Sequence, residues 1–145
     1  MPEIKSFRDL DAWRAAMDLS VMVYDASTHL PSDERFGLMS QVRRASVSVP
    51  SNVAEGQSFG TNGRYIHHLR IALGSIGELS TELEIAVRLN YLSAGQIENV
   101  HRQLVRTRQL LFGLLRSLRR RRVAAVGKTT GVVVAFWLLR TTSLG

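Results

Sequence analysis

The chain has 145 residues, a formal net charge of +7 and no cysteine. That length holds one domain, or one domain with a tail, and excludes two independent cores. The lack of cysteine excludes a disulfide framework and a thiolate metal site, and a hydrophobic fraction of 45% excludes wholesale disorder.

The charge is unevenly spread. Through residue 118 the net charge is only +1, whereas residues 119–145 carry Arg119, Arg120, Arg121, Arg122, Lys128 and Arg140 with no acid, or +6. A polyanionic partner is therefore indicated more by the C-terminal part than by the total. The opening "MPEIKSFRDLDAW" does not read as a secretory leader, and no run reaches the roughly 18 apolar residues of a membrane span. A cytoplasmic protein with no membrane role is expected.

In chain order, the first helix is expected to start at Asp9 as its cap, with Leu10, Trp13, Met17, Val21 and Tyr24 spaced to share one face. Pro31 disfavours helix at Leu30, and Ser32 should cap the second helix, with Asp33 and Glu34 suiting its positive end. After "FGTNG", with Thr61 or Asn62 as cap, Tyr65, Leu69, Ala72, Ile76, Leu79, Leu83 and Ala86 form a heptad seam. Ser93 opens a fourth helix whose seam is Ile97, Val100, Leu104, Leu111, Leu114 and Leu118. Four amphipathic helices with short connections predict an all-α fold, an up-down-up-down antiparallel four-helix bundle over residues 1–118. Residues 119–145 are basic and then apolar, and read as an extension that is strand-like, helical or disordered.

The second helix is unusual. At about 100° per residue, Leu38, Val42, Ala45, Val49 and Val53 form one apolar stripe. Gln41, Arg44, Ser48, Asn52 and Glu55 flank it on one side; Met39, Val47, Pro50 and Ala54, interrupted by Arg43, flank it on the other. So little solvent face is left that a second chain is expected to cover part of this helix, and the polar flank reads as a buried strip at an oligomer interface. Arg43 and Arg44 are expected to pair with Glu78 and Glu82 of the third helix, and breaking a fully buried pair costs about 3–5 kcal/mol. Pro50 removes one helical hydrogen bond and leaves the Ser46 carbonyl to be satisfied by Ser46 or Ser48.

The run "ERFGLMSQVRRASVSVPSNVAEG", the opening "FRDLDAW" and the third-helix stretch "IALGSIGELSTELEIAVRLNYL" resemble the bacterial four-helix bundle family encoded by intervening sequences in large-subunit ribosomal RNA genes. The resemblance covers about residues 7–118. That family takes in accessory variability proteins of diversity-generating retroelements, homopentameric barrels that bind nucleic acid and a reverse transcriptase. The resemblance thus implies a homo-oligomer, a pentamer, with RNA or DNA and a reverse transcriptase or other nucleic-acid enzyme as partners. The chain departs from the family's pattern at "QSFGTNG", a loop that usually carries basic residues, at Arg64 in place of an acid, and at Ser80 in place of a glutamate.

On the fourth helix Arg102, Arg106, Arg116 and Arg120 share a face opposite the leucines, joined by Arg119 from "RSLRRRR". A stripe of this kind suits a phosphate backbone, because each neutralised phosphate releases counterions, and equally suits a solvated face. Aromatic residues for base stacking are not interleaved there. "ENVH", Glu98 to His101, is half of a di-iron pattern that needs a second such pair. "HH" at 67 and 68 has the wrong spacing for one face and reads as surface or interface. "GKTT" at 127–130 lacks the leading glycine of a phosphate loop, since Arg122 stands there. With no nucleophile, base and orienting acid at usable spacing, neither enzymatic activity nor a metal or cofactor is expected.

Overall fold

The structure is a computed structural model describing residues 4–141, with side chains described through Ala124 and at Val126. Four helices carry it: α1 (Asp11–Ser27), α2 (Leu38–Ser58), α3 (Asn62–Arg88) and α4 (Ala94–Thr141), with single-turn 3-10 segments at Phe7–Asp9 and Ser32–Phe36. Each of α1 and α3 packs on both α2 and α4, so the four lie in cyclic order around one core, an all-α four-helix bundle. Among the described residues there is no strand. α4 passes residue 118 without a break, and Leu118 is its last buried residue among those described.

Local chemistry sets the helix ends, though not always at the expected residues. Asp9 caps the 3-10 turn rather than α1: its carboxylate accepts from the Lys5 and Ser6 amides, closing a capping box with Ser6. Ser32 caps nothing; α2 is started by Glu34, whose Oε2 accepts from the Leu38 amide at 2.8 Å. Thr61 precedes α3 without a side-chain cap. α3 closes with Asn90 at φ 57, its amide bonded to Val87 O and the Tyr91 amide to Ala86 O, which satisfies the last carbonyls. Ser93 and Gln96 then cap α4 reciprocally.

The seams of α2, α3 and α4 face inward largely as the periodicity predicts. Leu38, Val42, Ala45, Val49 and Val53 are all buried, as are Leu69 through Ala86 at the heptad positions of α3. In α4, Val100, Leu104, Leu111 and Leu118 are buried with Leu115 and Thr107, while Ile97 and Leu114 are half-buried. The first helix differs. Its core face is Ala12, Ala15, Ala16, Leu19, Val23 and Ala26, whereas Met17, Val21 and Tyr24 point outward. Alanines on the inner face let α1 approach its neighbours closely, so size of side chain misleads about direction there.

Pro50 sits buried inside an unbroken α2. The carbonyl it frees, Ser46 O, is met not from α2 itself but by Ser20 Oγ of α1 at 2.8 Å. Across the bundle, Gln103 Nε2 and Thr107 Oγ1 of α4 both donate to Ala15 O of α1, at 2.9 and 3.2 Å. These polar links fix the register of α1 against two neighbours where alanines alone provide little shape.

Candidate nucleic-acid interface and the seams of α2

Between α2 and α3 the polar flank of α2 meets a matching column on α3. Ser48 Oγ lies 2.9 Å from Ser75 Oγ. Asn52 Nδ2 donates to Ser48 O at 2.9 Å, and Asn52 Oδ1 lies 3.0 Å from His68 Nδ1, which is also 3.4 Å from Glu55 Oε2. Arg44 Nη2 stands 3.8 Å from Glu78 Oε1. Gly56 lets α3 come close: a Cβ there would lie 2.7 Å from the Tyr65 ring and 3.0 Å from His68 Cβ.

Within one chain this strip is not buried from end to end. Ser48 and Asn52 are half-buried, but Gln41, Arg44 and Glu55 are exposed. α2 in fact keeps a narrow solvent face of Ser40, Arg44, Val47, Ser51, Glu55 and Ser58, because α1 and α3 cover only its two flanks. The Arg44–Glu78 pair forms as expected, yet its side chains are 75% and 50% exposed, so it contributes under about 1 kcal/mol. Arg43 does not join an acid of α3. It turns to α1 instead, where Nε donates to Ser27 Oγ at 2.8 Å and the guanidinium lies 4.9 Å from the Tyr24 ring centroid.

Glu82 carries the largest electrostatic perturbation in this column. It is only 5% exposed, and its Oε2 is buried without a hydrogen-bond partner. Burial, and then the neighbouring Glu78 charge, push its carboxyl up to about 7, with Arg44 pulling the other way. Tyr65, on the other side of Gly56, has a buried hydroxyl without a partner, and burial pushes it up to about 12.

The described arginines of α4 all lie on the surface. Arg102, Arg106, Arg116, Arg119 and Arg120 are exposed, and among the described residues none forms an ion pair with an acid. Arg102 makes one hydrogen bond, to Asn99 Oδ1. From Arg102 to Arg120 the stripe runs about 27 Å along the helix, at 1.5 Å per residue. Arg119 lies about 100° round the helix from the other four and broadens the stripe toward Phe112. Phe112 is 41% exposed, with Arg108 5.6 Å from its ring centroid. Lys128, Arg140 and the "GKTT" run lie outside the described side chains.

Glu98 and His101 are both exposed, and among the described residues no three His, Asp or Glu side chains converge. The sequence reading missed Ser20, Ser75 and Thr107, which are small polar residues at core positions of otherwise apolar seams. Sequence spacing alone puts His68 at a surface or interface, although its seven-residue separation from Ser75 marks the same column.

The comparisons with known proteins fit this architecture. Residues 8–113 match the family described as 23S rRNA-intervening sequence protein. A crystal structure of a protein with unknown function from the S23 ribosomal protein family of Bacteroides thetaiotaomicron superposes with a TM-score of 0.66. It shares 21% identity over 72% of this chain and 97% of that one, a likeness of fold. Among curated proteins nothing matches. With α1 to α3 and the first part of α4 all inside the matched span, the chain belongs to the 23S rRNA-intervening sequence protein family.

Proposed function

We propose that this protein is a non-catalytic, cytoplasmic, oligomeric four-helix bundle that binds RNA or DNA electrostatically, as an accessory to a nucleic-acid enzyme such as a reverse transcriptase. The observation that carries the reading is the α4 stripe. Five exposed arginines stand without an acid partner on one long helix, and Glu98 is the only acid of that helix. Guanidinium groups spread over about 27 Å match several successive phosphates, and nothing on the stripe reads base edges. Binding is then independent of sequence and falls steeply with salt. Subunits arranged in a ring, a pentamer by the resemblance, would repeat the stripe and add weak contacts through avidity.

Filter binding to generic RNA and duplex DNA across a salt series tests this. Replacing Arg102, Arg106, Arg116 and Arg120 with Gln should abolish binding while leaving helix content and oligomer mass unchanged. A truncation lacking residues 121–145 keeps the whole stripe, Arg119 and Arg120 included, and separates it from the +4 that follows (Arg121, Arg122, Lys128 and Arg140).

A second reading is an oligomeric scaffold that recruits protein and has no nucleic-acid role. It is favoured by the outward apolar side chains of α1 and α2: Met17, Val21, Tyr24 and Val47 are 39%, 61%, 44% and 43% exposed. Full binding by the four-arginine variant, with loss of all binding on truncation, favours this reading.

A further inference from the structure

At the corner where α1 meets the start of α2, an open groove of about 480 Å³ is lined by Tyr24, Arg35, Phe36, Met39, Arg43 and Arg44, among others, and by no acid. Phe36 is 89% exposed, the most exposed of the described large apolar side chains. A phenylalanine left in water forgoes the stabilisation of burial, so its place at this corner calls for an occupant. The corner is rigid because Glu34 Oε2 holds the Leu38 amide at 2.8 Å, and it fits only beside a glycine: a Cβ on Gly37 would lie 2.4 Å from that oxygen.

Cations and ring planes alternate here. The Arg35 guanidinium is 5.5 Å from the Phe36 centroid and that of Arg43 is 4.9 Å from the Tyr24 centroid. The bond from Arg43 Nε to Ser27 Oγ fixes this guanidinium at the groove wall. Arg44 is held only by its long, exposed pair with Glu78. Guanidiniums beside open aromatic faces are the combination that single-stranded nucleic acid uses, because bases stack on the rings while phosphates meet the charges. The α4 stripe has the charges with few rings. A protein segment would have to bring acids to answer Arg35 and Arg43, whereas a nucleotide carries its phosphate with it.

We propose that this groove binds an unpaired nucleotide of a single strand, its base stacked on Phe36 and its phosphate held by Arg35 and Arg43. The proposal rests on the nucleic-acid reading of α4 and adds a preference for single strands, since a base inside a duplex cannot reach Phe36. Fluorescence anisotropy with labelled U12, dT12 and a 12-base-pair duplex, on the full chain, tests it. Phe36→Ala should weaken binding of U12 and dT12 on the order of ten-fold with the salt slope and duplex binding unchanged, and Phe36→Trp should retain wild-type affinity. Arg43→Gln should weaken single-strand binding and lower the salt slope by about one. Unchanged single-strand affinity in Phe36→Ala overturns the groove site while leaving the α4 reading intact. Should the wild type bind neither strand nor duplex at low salt, the α4 reading fails and the groove with it. A change of oligomer mass in Phe36→Ala assigns the ring to a contact between copies and overturns the nucleotide site.

Discussion

The two flanks of α2 solve the same packing problem with opposite chemistry. Toward α3 the contact is polar and stepped, Ser48 on Ser75, Asn52 on His68, Arg44 near Glu78, and it closes tightly at Gly56. Toward α1 the outer rim is mostly apolar, with Trp13, Met17, Val47, Pro50 and Ala54 around a shallow depression, and two buried hydroxyls of α1 cross to α2: Ser20 reaches the Ser46 carbonyl and Ser27 accepts from Arg43 Nε. A polar seam specifies register because each donor needs its own acceptor. The apolar rim itself specifies no register, which its few buried polar links supply, and it stays free to meet something else.

The largest expected effect tests whether the polar seam holds an ionisable group at a cost. The folded carboxyl of Glu82 lies near 7, above its ordinary 4.5, so the native state holds a proton that the unfolded chain releases. Stability from this group is fully present below about pH 4.5 and is lost as pH rises through 7. Glu82→Gln should therefore stabilise the protein at pH 8 by on the order of 2–3 kcal/mol and have little effect at pH 4, measured by denaturant unfolding. A loss of stability at pH 8 with little change at pH 4 would show instead that Glu82 is held charged, through Arg44.

Gly56→Ala comes next. Overpacking against Tyr65 and His68 costs about 1–3 kcal/mol, against at most about 1 kcal/mol of helix propensity gained, so the melting temperature should fall. Gly77→Ala on the outer side of α3 is the control, since a Cβ there meets nothing within 4 Å; it should raise the melting temperature. If both substitutions stabilise, α2 and α3 are less closely apposed than the polar seam requires.

Ser20→Ala probes the other flank. It leaves Ser46 O buried and unpartnered beside Pro50, a loss of about 1–2 kcal/mol. Pro50→Ala restores an amide for that carbonyl, so the two substitutions should be less than additive in a double-mutant cycle. Additivity would mean that Ser20 acts through its own Ala16 carbonyl, 3.0 Å away, rather than across the helices.

The smallest effect is at Arg44. Its pair with Glu78 is long and open to solvent, so Arg44→Ala should shift the stability of one chain by less than about 1 kcal/mol. A loss of several kcal/mol that depends on protein concentration would instead place this pair inside a contact between chains.

Four helices, the inward seams of α2, α3 and α4, the cap at Ser93 and the outward arginines of α4 were all legible in the residues. Each is a local matter of period, cap chemistry or charge, and a 3.6-residue repeat of large apolar side chains leaves few alternative faces. The inner face of α1 was not legible, because alanines carry a weak periodic signal and lost to Met17, Val21 and Tyr24. Nor could period reveal which neighbour answers a polar group. Ser20 meeting Ser46 O, Arg43 turning to Ser27 and Tyr24, and Thr107 reaching Ala15 O all join residues of different helices. The groove of Tyr24, Phe36 and Arg43 likewise exists only once α1 and the start of α2 are side by side. Helix type and facing follow from side chains one turn apart, which sequence spacing reports directly. Partners across a bundle depend on the rotation and offset of whole helices, and those are set by close packing of the complete core.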